Sequence, residues 1–353
     1  MPTIVSTTLA GNCEHIIGDA LRSVASWVDL CLVVDTGIDD GTLEVAREVV
    51  GDKLRVLARP WDDDFAAARN FALAAAQDLG AEWALTLDTD ERIERGAVDV
   101  GLALANSDVG VLMAETAERS YAKERFIRLP TAARWVGPTH EALQLATEKR
   151  GRLRGVVFWE LPKSGTALRH KLERDERILS RHVERHPDDT RWRFYLGETL
   201  RLSGQHRDAI EQYEACASRP GWDEQRAWAC YRKAYCHARL DEYELALDAC
   251  AVGLARHAGI AELPWLASLC AYKLGRHAQA RYWAQLSITW GWYQGEGAQV
   301  PRIGFRDLSG LYEGPFEVLR CALRKLGDTM GATLAEAHYH RARHQRLRHR
   351  TAP

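Results

Sequence analysis

The residues best suited to chemistry are Asp88 and Asp90, two carboxylates that follow a short apolar run. This run, residues 83–87, predicts a buried strand, and side chains two apart on a strand lie on the same face. We therefore expect both carboxylates to face one way at the carboxyl end of the strand, where open α/β sheets bind ligands. The two carboxylates would repel each other unless a cation or ligand compensated them. A hard divalent cation with diphosphate oxygens completing its shell suits such a pair, although acidic triplets also occur in ordinary turns and helix caps.

A second candidate is Asp35, which ends the predicted strand Leu30–Val34. A turn containing glycine follows and leads through Thr42 into a helix. A carboxylate at this point can accept hydrogen bonds from a uracil ring or a ribose hydroxyl. Asp and Gly are also ordinary turn residues, so a purely structural role stays open.

Composition narrows the class of protein. The 353 residues carry a formal net charge of −2, which gives no global electrostatic case for nucleic acid. The eight cysteines form no CxxC pair and are typical of reduced core residues in a cytosolic protein. Residues 1–5 lack the features of a signal peptide, and no apolar stretch approaches 18 residues. We therefore expect a cytoplasmic protein without a membrane span.

The pattern of the chain changes near residue 165. Before it, short apolar runs alternate with amphipathic stretches, which predicts a mostly parallel sheet with crossover helices in a domain over residues 1–165. This is a Rossmann-like architecture, but no G-x-G-x-x-G follows the first strand, which disfavours a dinucleotide-binding dehydrogenase. The predicted strands are 2–9, 30–34, 54–58, 83–87 and 110–114, and the predicted helices are 14–26, 43–50 and 65–79.

From residue 166 onward the pattern is helical and repetitive. Similar segments align on Ala209, Ala246 and Ala280, at offsets of 37 and 34 residues, and a fourth copy aligns on Ala332 after an insertion of about 18 residues. The spacing and the recurring small residue favour tetratricopeptide repeats over a generic helical bundle. We assign residues 166–346 to the repeats and 347–353 to a basic tail. The segment 338–350 contains five Arg and four His, and either a solvated terminus or contact with an anionic surface would explain it.

Four motifs now point to a known family. Ile4–Thr7, Asp35–Thr42, Ala68–Ala72 and Asp88–Glu91 resemble, in order and spacing, the motifs of family 2 glycosyltransferases. The resemblance covers roughly residues 1–145. With the helical repeats, the chain is similar to the subgroup that includes bacterial peptide S- and O-glycosyltransferases of the glycocin type.

The resemblance implies an α/β Rossmann-like glycosyltransferase A-type domain followed by an all-α repeat domain. It also implies an inverting enzyme that uses a divalent cation, Mn²⁺ or Mg²⁺, and a nucleotide sugar, for which UDP is the expected nucleotide. Asp90 would be the direct metal ligand, and Arg69 would face the nucleotide or diphosphate unless it pairs with the acidic residues 62–64. The nucleotide-binding residues that the resemblance implies are Ser6, Thr7, Thr8, Asp35, Arg69, Asp88 and Thr89.

A His-Glu pair, His140 and Glu141, resembles an element of the repeat-bearing subgroup. In that interpretation His140 completes the metal shell and Glu141 is the base that accepts the acceptor's proton. Adjacent residues on a strand would face opposite ways, so both roles require a turn here. An exposed loop without function is the alternative, and Asp88, Asp90 or Glu91 could instead be the base.

We therefore expect a glycosyltransferase whose preferred acceptor is a Ser, Thr or Cys of a peptide or protein. We expect the repeats to mediate acceptor recognition, a homodimer, or both, and we expect no nucleic-acid partner. One alternative is an interaction protein whose glycosyltransferase-like domain is inactive, and another is a transferase acting on an envelope glycan or small metabolite. A nucleotidyltransferase is disfavoured because residues 11–14 lack a Gly-rich loop with Arg and Lys.

Overall fold

Parallel strands form the centre of the first part of the chain. The computed structural model describes residues 1–117, 121–163, 165–293 and 306–351, and the chain divides into two compact units, residues 1–165 and 166–353. The strands of the first unit are β1 (Ile4–Ala10), β2 (Leu30–Asp35), β3 (Leu54–Ala58), β4 (Trp83–Thr86), β5 (Glu91–Glu94), β6 (Val111–Thr116), β7 (Ala122–Arg128), β8 (Arg134–Val136), β9 (Ala142–Gln144) and β10 (Arg150–Glu160). Its helices are α1 (Glu14–Ala25), α2 (Thr42–Val50), α3 (Phe65–Asp78) and α4 (Val100–Ala105).

Eight of these strands form one mixed sheet in the order β3-β2-β1-β4-β7-β6-β10-β5. The first four run parallel, so their carboxyl ends share one edge. Strand β7 is antiparallel to β4 and β6, and β5 is antiparallel to β10. The Rossmann-like fold predicted from the sequence is confirmed, with antiparallel strands added on one side.

Two apolar layers cover the sheet. On one face, residues of α1 and α2, such as Leu21 and Ala46, pack with Ile4 of β1. On the other face, α3 packs through residues such as Leu73 against Val5. The alternation of side chains along β1 thus supplies both cores.

The hairpin of β8 and β9 lies outside the large sheet. Trp135 pairs with Leu143 across it, and both are buried in the same apolar layer as α3. The hairpin is therefore held against the helix that carries Arg69.

The second unit is helical throughout the residues that the structure describes. Helix α5 precedes the pairs α6–α7, α8–α9, α10–α11 and α13–α14, and the short α12 lies between the third and fourth pairs. The helices are α5 (Gly165–Arg185), α6 (Thr190–Leu202), α7 (His206–Ser218), α8 (Asp223–Arg239), α9 (Tyr243–Arg256), α10 (Glu262–Lys273), α11 (His277–Trp290), α12 (Leu308–Leu311), α13 (Gly314–Lys325) and α14 (Thr329–Thr351).

Small residues allow the paired helices to approach closely, as the repeat pattern predicts. The four aligned alanines, Ala209, Ala246, Ala280 and Ala332, each lie in the second helix of a pair and are no more than 2% exposed. In the first pair, a Cβ on Gly197 would lie 2.6 Å from the Tyr213 ring. The helical repeats inferred from the sequence are confirmed.

The turn inside each pair has the left-handed backbone that the sequence pattern indicates. Gly204, Gly275 and Gly327 have φ values of 80°, 74° and 82°. The second pair has Asp241 at φ 59°, and Asp is among the few residues other than Gly that enter this region.

The insertion between the last two repeats is only partly described. Trp290, Trp292 and Tyr293 are half-buried and pack against the core cluster that contains Leu311 and Phe316. Residues 294–305 lie outside the described residues. Helix α14 runs to Thr351, through the segment predicted as a tail. No helix in the described ranges is long and apolar enough to cross a membrane.

Candidate active site

Arg69 of α3 joins two of the predicted site carboxylates. Its Nη2 donates to Asp88 at 2.7 Å, and its Nε donates to Glu141 at 2.5 Å. The arginine is 9% exposed, and its guanidinium lies 5.4 Å from the centre of the Trp135 ring. Glu141 and Asp88, which are 72 and 19 positions from Arg69 along the chain, are thus joined by its guanidinium.

Local hydrogen bonds fix the start of α3 and so the position of Arg69. Asp64 caps the helix by accepting from the Ala67 N–H at 2.8 Å. The Phe65 N–H donates to the Pro138 carbonyl at 2.8 Å, which ties the helix start to the turn before Glu141. The ion pairs of Arg69 are with Asp88 and Glu141, and Asp62, one of the acidic alternatives, is bound at both oxygens by Arg59.

Asp88 lies in a strongly positive environment. Burial by itself would raise the pKa of Asp88, but Arg69 and Arg125 outweigh it and hold the pKa below its usual range. Strand β4 ends at Thr86, so the expectation that Asp88 and Asp90 share a strand face is wrong. The two residues lie in the turn that follows, where the alternation of a strand no longer applies.

Glu91 is fully buried beside Arg125, which is 2% exposed. Arg125 binds the Glu91 carboxylate, and Lys123 lies 3.2 Å from the same oxygen. Burial raises the pKa of Glu91, and the two basic side chains offset only part of that rise. A carboxylate without solvent access cannot receive a proton from a large acceptor, so Glu91 is a poor candidate for the base.

Asp90 has a different partner from Asp88. The Lys163 amine binds its carboxylate, and the Leu161 N–H donates to its backbone carbonyl at 2.8 Å. Among the described residues, no group of three His, Cys, Asp or Glu is placed to hold a metal ion, so Asp88, Asp90 and His140 do not form a ready-made cage. Mg²⁺ sites commonly use one or two carboxylates and take their other oxygens from substrate phosphates. The donor chemistry of Asp90 therefore fits a cation that arrives with a diphosphate.

The His-Glu pair lies in the turn between β8 and β9. Gly137 and His140 have φ values of 93° and 50°, so the chain reverses across residues 137–141. The turn that the two predicted roles require is therefore present. Glu141 reaches Arg69 from it, whereas His140 belongs to no three-residue metal-binding group in the described structure.

The predicted nucleotide-binding residues lie along the neighbouring strands. Asp35 Oδ1 accepts from the N–H groups of Gly37 and Ile38, both at 2.8 Å, which is turn chemistry and leaves Oδ2 for a ligand. Ser6, Thr7 and Thr8 of β1 are all buried, so their contact with a nucleoside stays a prediction. Half-buried Thr89, whose carbonyl accepts from Arg92 at 3.1 Å, also remains a predicted contact.

Sequence reasoning missed several charged residues of this site, namely Lys123, Arg125 and Lys163. Lys123 and Arg125 are two apart on β7, a strand that the sequence analysis did not predict. Their i, i+2 spacing was the available signal, because it places both on one strand face. Lys163 had no such signal, since it lies 73 residues from Asp90.

Comparison with known families decides what kind of domain this is. Residues 8–161 match the sequence model of the family described as glycosyl transferase family 2. The first unit carries a family 2 glycosyltransferase domain. This confirms the family resemblance for the N-terminal part of the chain.

Parts of the chain are also similar to other known proteins. A TPR repeat-containing protein from Synechococcus elongatus is 32% identical over 216 residues, an alignment that covers 55% of this chain and 51% of the relative. The chain thus spans about half the length of that relative. The crystal structure of MamA protein is 16% identical with a TM-score of 0.40, covering 51% of this chain and 87% of that one. PilW, a type IV pilus biogenesis factor, is 14% identical with a TM-score of 0.36, covering 47% and 67%.

Proposed function

We propose that this protein is an inverting glycosyltransferase that takes a sugar from a nucleotide sugar, preferably a UDP-sugar, and transfers it to a nucleophilic acceptor. The observation that carries the proposal is the arrangement of Asp88 and Glu141 around Arg69 at the carboxyl end of the parallel strands. Ligands of open α/β sheets bind at this edge. The family 2 domain supplies the class of reaction.

In this proposal the donor lies across the ends of β1, β2 and β4. Asp35 Oδ2 accepts a hydrogen bond from the nucleobase, and Ser6, Thr7, Thr8 and Thr89 belong to the nucleoside side of the site. Asp90 would hold Mn²⁺ or Mg²⁺, and His140 is a second candidate ligand. A bound cation would neutralise the charge that develops on the departing diphosphate. We assign Lys163, whose amine binds Asp90 in the structure, to that diphosphate when the cation is bound.

Glu141 is the proposed base. Arg69 binds its Oε1, so we assign Oε2 to the acceptor. The acceptor's hydroxyl or thiol gives its proton to this oxygen while its O or S forms the bond to the anomeric carbon. The bond from that carbon to the diphosphate breaks on the opposite face, which inverts the configuration. Asp88 is a weaker base candidate because its pKa is lowered by Arg69 and Arg125.

Since Arg69 is nearly buried and binds both carboxylates, we assign it to holding them in place. A planar guanidinium can bind two carboxylates in a fixed geometry, which lysine cannot do.

The repeats support a peptide or protein acceptor with Ser, Thr or Cys as nucleophile. Tetratricopeptide arrays form concave surfaces that suit extended peptides. The same surfaces can mediate self-association, so we also propose a homodimer through the second unit. An acceptor on an envelope glycan or a small metabolite is the competing possibility.

Calorimetry tests the proposed function directly. We expect UDP to bind in the presence of Mn²⁺ or Mg²⁺ and to bind much more weakly in EDTA. A parallel screen measures hydrolysis of UDP-glucose, UDP-galactose and UDP-N-acetylglucosamine, with GDP- and dTDP-sugars as nucleotide controls. If no nucleoside diphosphate binds under any of these conditions, the domain is inactive and the protein is an interaction module.

A further inference from the structure

Asn70 makes an unusual pair of contacts with the backbone of Trp135. Its Nδ2 donates to the Trp135 carbonyl at 2.9 Å, and its Oδ1 accepts from the Trp135 N–H at 2.9 Å. Both bonds need the amide in the orientation observed, because the nitrogen can only donate and the oxygen can only accept. The side chain thus satisfies both polar groups of one backbone residue.

These bonds occupy a strand edge that the hairpin leaves open. Among the strands that the structure describes, β8 pairs with β9 alone, and Trp135 lies opposite Leu143 in that pairing. In an antiparallel pair, alternate residues direct their N–H and C=O away from the partner strand. The Asn70 side chain binds the N–H and C=O on the side of β8 that faces away from β9, as a further strand would.

Two further attachments lie on the same helix. The Phe65 N–H holds the Pro138 carbonyl, and Arg69 holds the Glu141 side chain. Three positions on the first half of α3 therefore hold residues 135–141 from the strand to the end of the turn. Trp135 links them further, because the Arg69 guanidinium lies over its ring.

We propose that Asn70 is a positioning residue for the glycosyl transfer step, fixing Trp135 to α3 so that the turn presents Glu141 to the acceptor. This inference rests on the proposed function, in which Glu141 is the base. A base must lie within hydrogen-bond reach of the proton that it removes. A displacement of about 1 Å in such a group can cost up to about 100-fold in rate.

The test compares Asn70→Ala with Gln77→Ala, an exposed residue on the same helix. The substrate is the UDP-sugar that wild type hydrolyses fastest, with water as acceptor. We expect Asn70→Ala to lower kcat by about 10- to 100-fold. The KM for the donor and the Kd for UDP should stay within about twofold of wild type, and Gln77→Ala should match wild type. Asn70→Gln, which keeps the amide on a longer side chain, should recover part of the loss.

A double-mutant cycle separates positioning from a general loss of structure. If Asn70 acts through Glu141, Asn70→Ala should have little further effect on kcat in the Glu141→Gln background. Hydrogen exchange of the peptide covering residues 134–144 should be faster in Asn70→Ala, because the Trp135 N–H loses its acceptor. Melting temperatures show whether each variant is folded at the assay temperature.

The outcomes distinguish a failure of the Asn70 role from a failure of the proposed function. An equal fall in kcat in both backgrounds, or a loss of UDP affinity with unchanged kcat, overturns the positioning role of Asn70. If Glu141→Gln turns over like wild type while UDP still binds, the assignment of the base fails although the transferase proposal survives. If wild type neither binds UDP nor hydrolyses a UDP-sugar, the proposed function and this inference fail together.

Discussion

Asp90 and Asp88 illustrate how two carboxylates two residues apart acquire different chemistry. Two arginines surround Asp88, with Arg125 3.6 Å from its second oxygen. Asp90 instead pairs with Lys163, which has a long flexible side chain, and the Asp90 side chain is 22% exposed. Arginines that are largely buried do not move aside easily, whereas a half-exposed lysine can. The residue suited to exchange its partner for a cation is therefore Asp90.

This difference predicts the behaviour of Asp90→Asn. The substitution keeps the size of the side chain but removes its charge, so UDP binding should lose its dependence on Mn²⁺. Calorimetric titrations of UDP in Mn²⁺ and in EDTA measure this dependence. Asp62→Asn is the matched control, because Asp62 pairs with Arg59 on a nearby loop. If Mn²⁺ strengthens UDP binding to Asp90→Asn as much as to wild type, the cation is held elsewhere.

Glu141→Gln tests the base without disturbing the shape of the turn. Gln can still accept a hydrogen bond from Arg69 Nε, but it cannot take the acceptor's proton. We expect kcat to fall by about 10²-fold or more, with little change in UDP affinity. Steady-state hydrolysis assays and calorimetry on the same preparation measure both quantities. Lost UDP affinity with normal turnover would instead assign Glu141 to donor binding.

The sequence identified several of these residues, but not their partners. Asp88, Asp90 and Arg69 lie in short motifs with recognisable spacing, so they could be found by inspection. Their contacts depend on chain topology: Arg69 and Glu141 are 72 residues apart, and they meet only because the hairpin packs on α3. A local sequence pattern does not indicate which residues that are distant along the chain will be in contact.

The sequence pattern predicted the four parallel strands, of which β1, β2 and β4 are largely buried and the edge strand β3 is mostly exposed. β1, β2, β3 and β4 appear in the sequence as nearly continuous apolar runs or end in a recognisable turn, and the helices between them show clear periodicity. β7 and β10 were missed because charged residues interrupt them, as in Lys123-Glu124-Arg125. Both strands are only partly buried, and a strand with one solvated face tolerates that pattern.

The Arg125–Glu91 pair joins β7 to β5, another strand that the sequence analysis did not predict, and we expect its loss to have a large effect on stability. Arg125→Met would leave the buried Glu91 carboxylate with Lys123 as its remaining basic partner, and breaking a buried pair from one side costs about 3–5 kcal/mol. Chemical denaturation should show this loss in the free energy of unfolding.

Arg152→Met is the control for that measurement, because Arg152 forms an exposed pair with Glu115 on the same sheet. The cost of losing a surface pair should stay below about 1 kcal/mol. The double variant Arg125→Met with Glu91→Gln should recover part of the stability, since no unpaired charge then remains buried. Similar losses for Arg125→Met and Arg152→Met would show that the buried pair has no special structural role.

The two units of the molecule have separate cores and are stabilised by different kinds of contact. The first is held by long-range strand pairing, and the second by contacts between helices that are neighbours in sequence. A repeat array of four helix pairs is more than nucleotide-sugar chemistry requires, and each added pair extends a surface for macromolecular contact. We therefore expect that cutting the chain between the two units separates donor hydrolysis from transfer to a peptide acceptor.

A protease site introduced at the boundary near residue 165 allows that test on protein that has already folded. After cleavage and separation, the first unit should hydrolyse the donor at nearly the full-length rate. The isolated first unit should no longer transfer the sugar to peptides. This is measured with a radiolabelled donor and a library of peptides that contain Ser, Thr or Cys, on which the intact protein should be active. Light scattering should show a dimer for the intact protein and a monomer for the isolated first unit. Equal peptide transfer by both, with both monomeric, would remove acceptor recognition and self-association from the repeats.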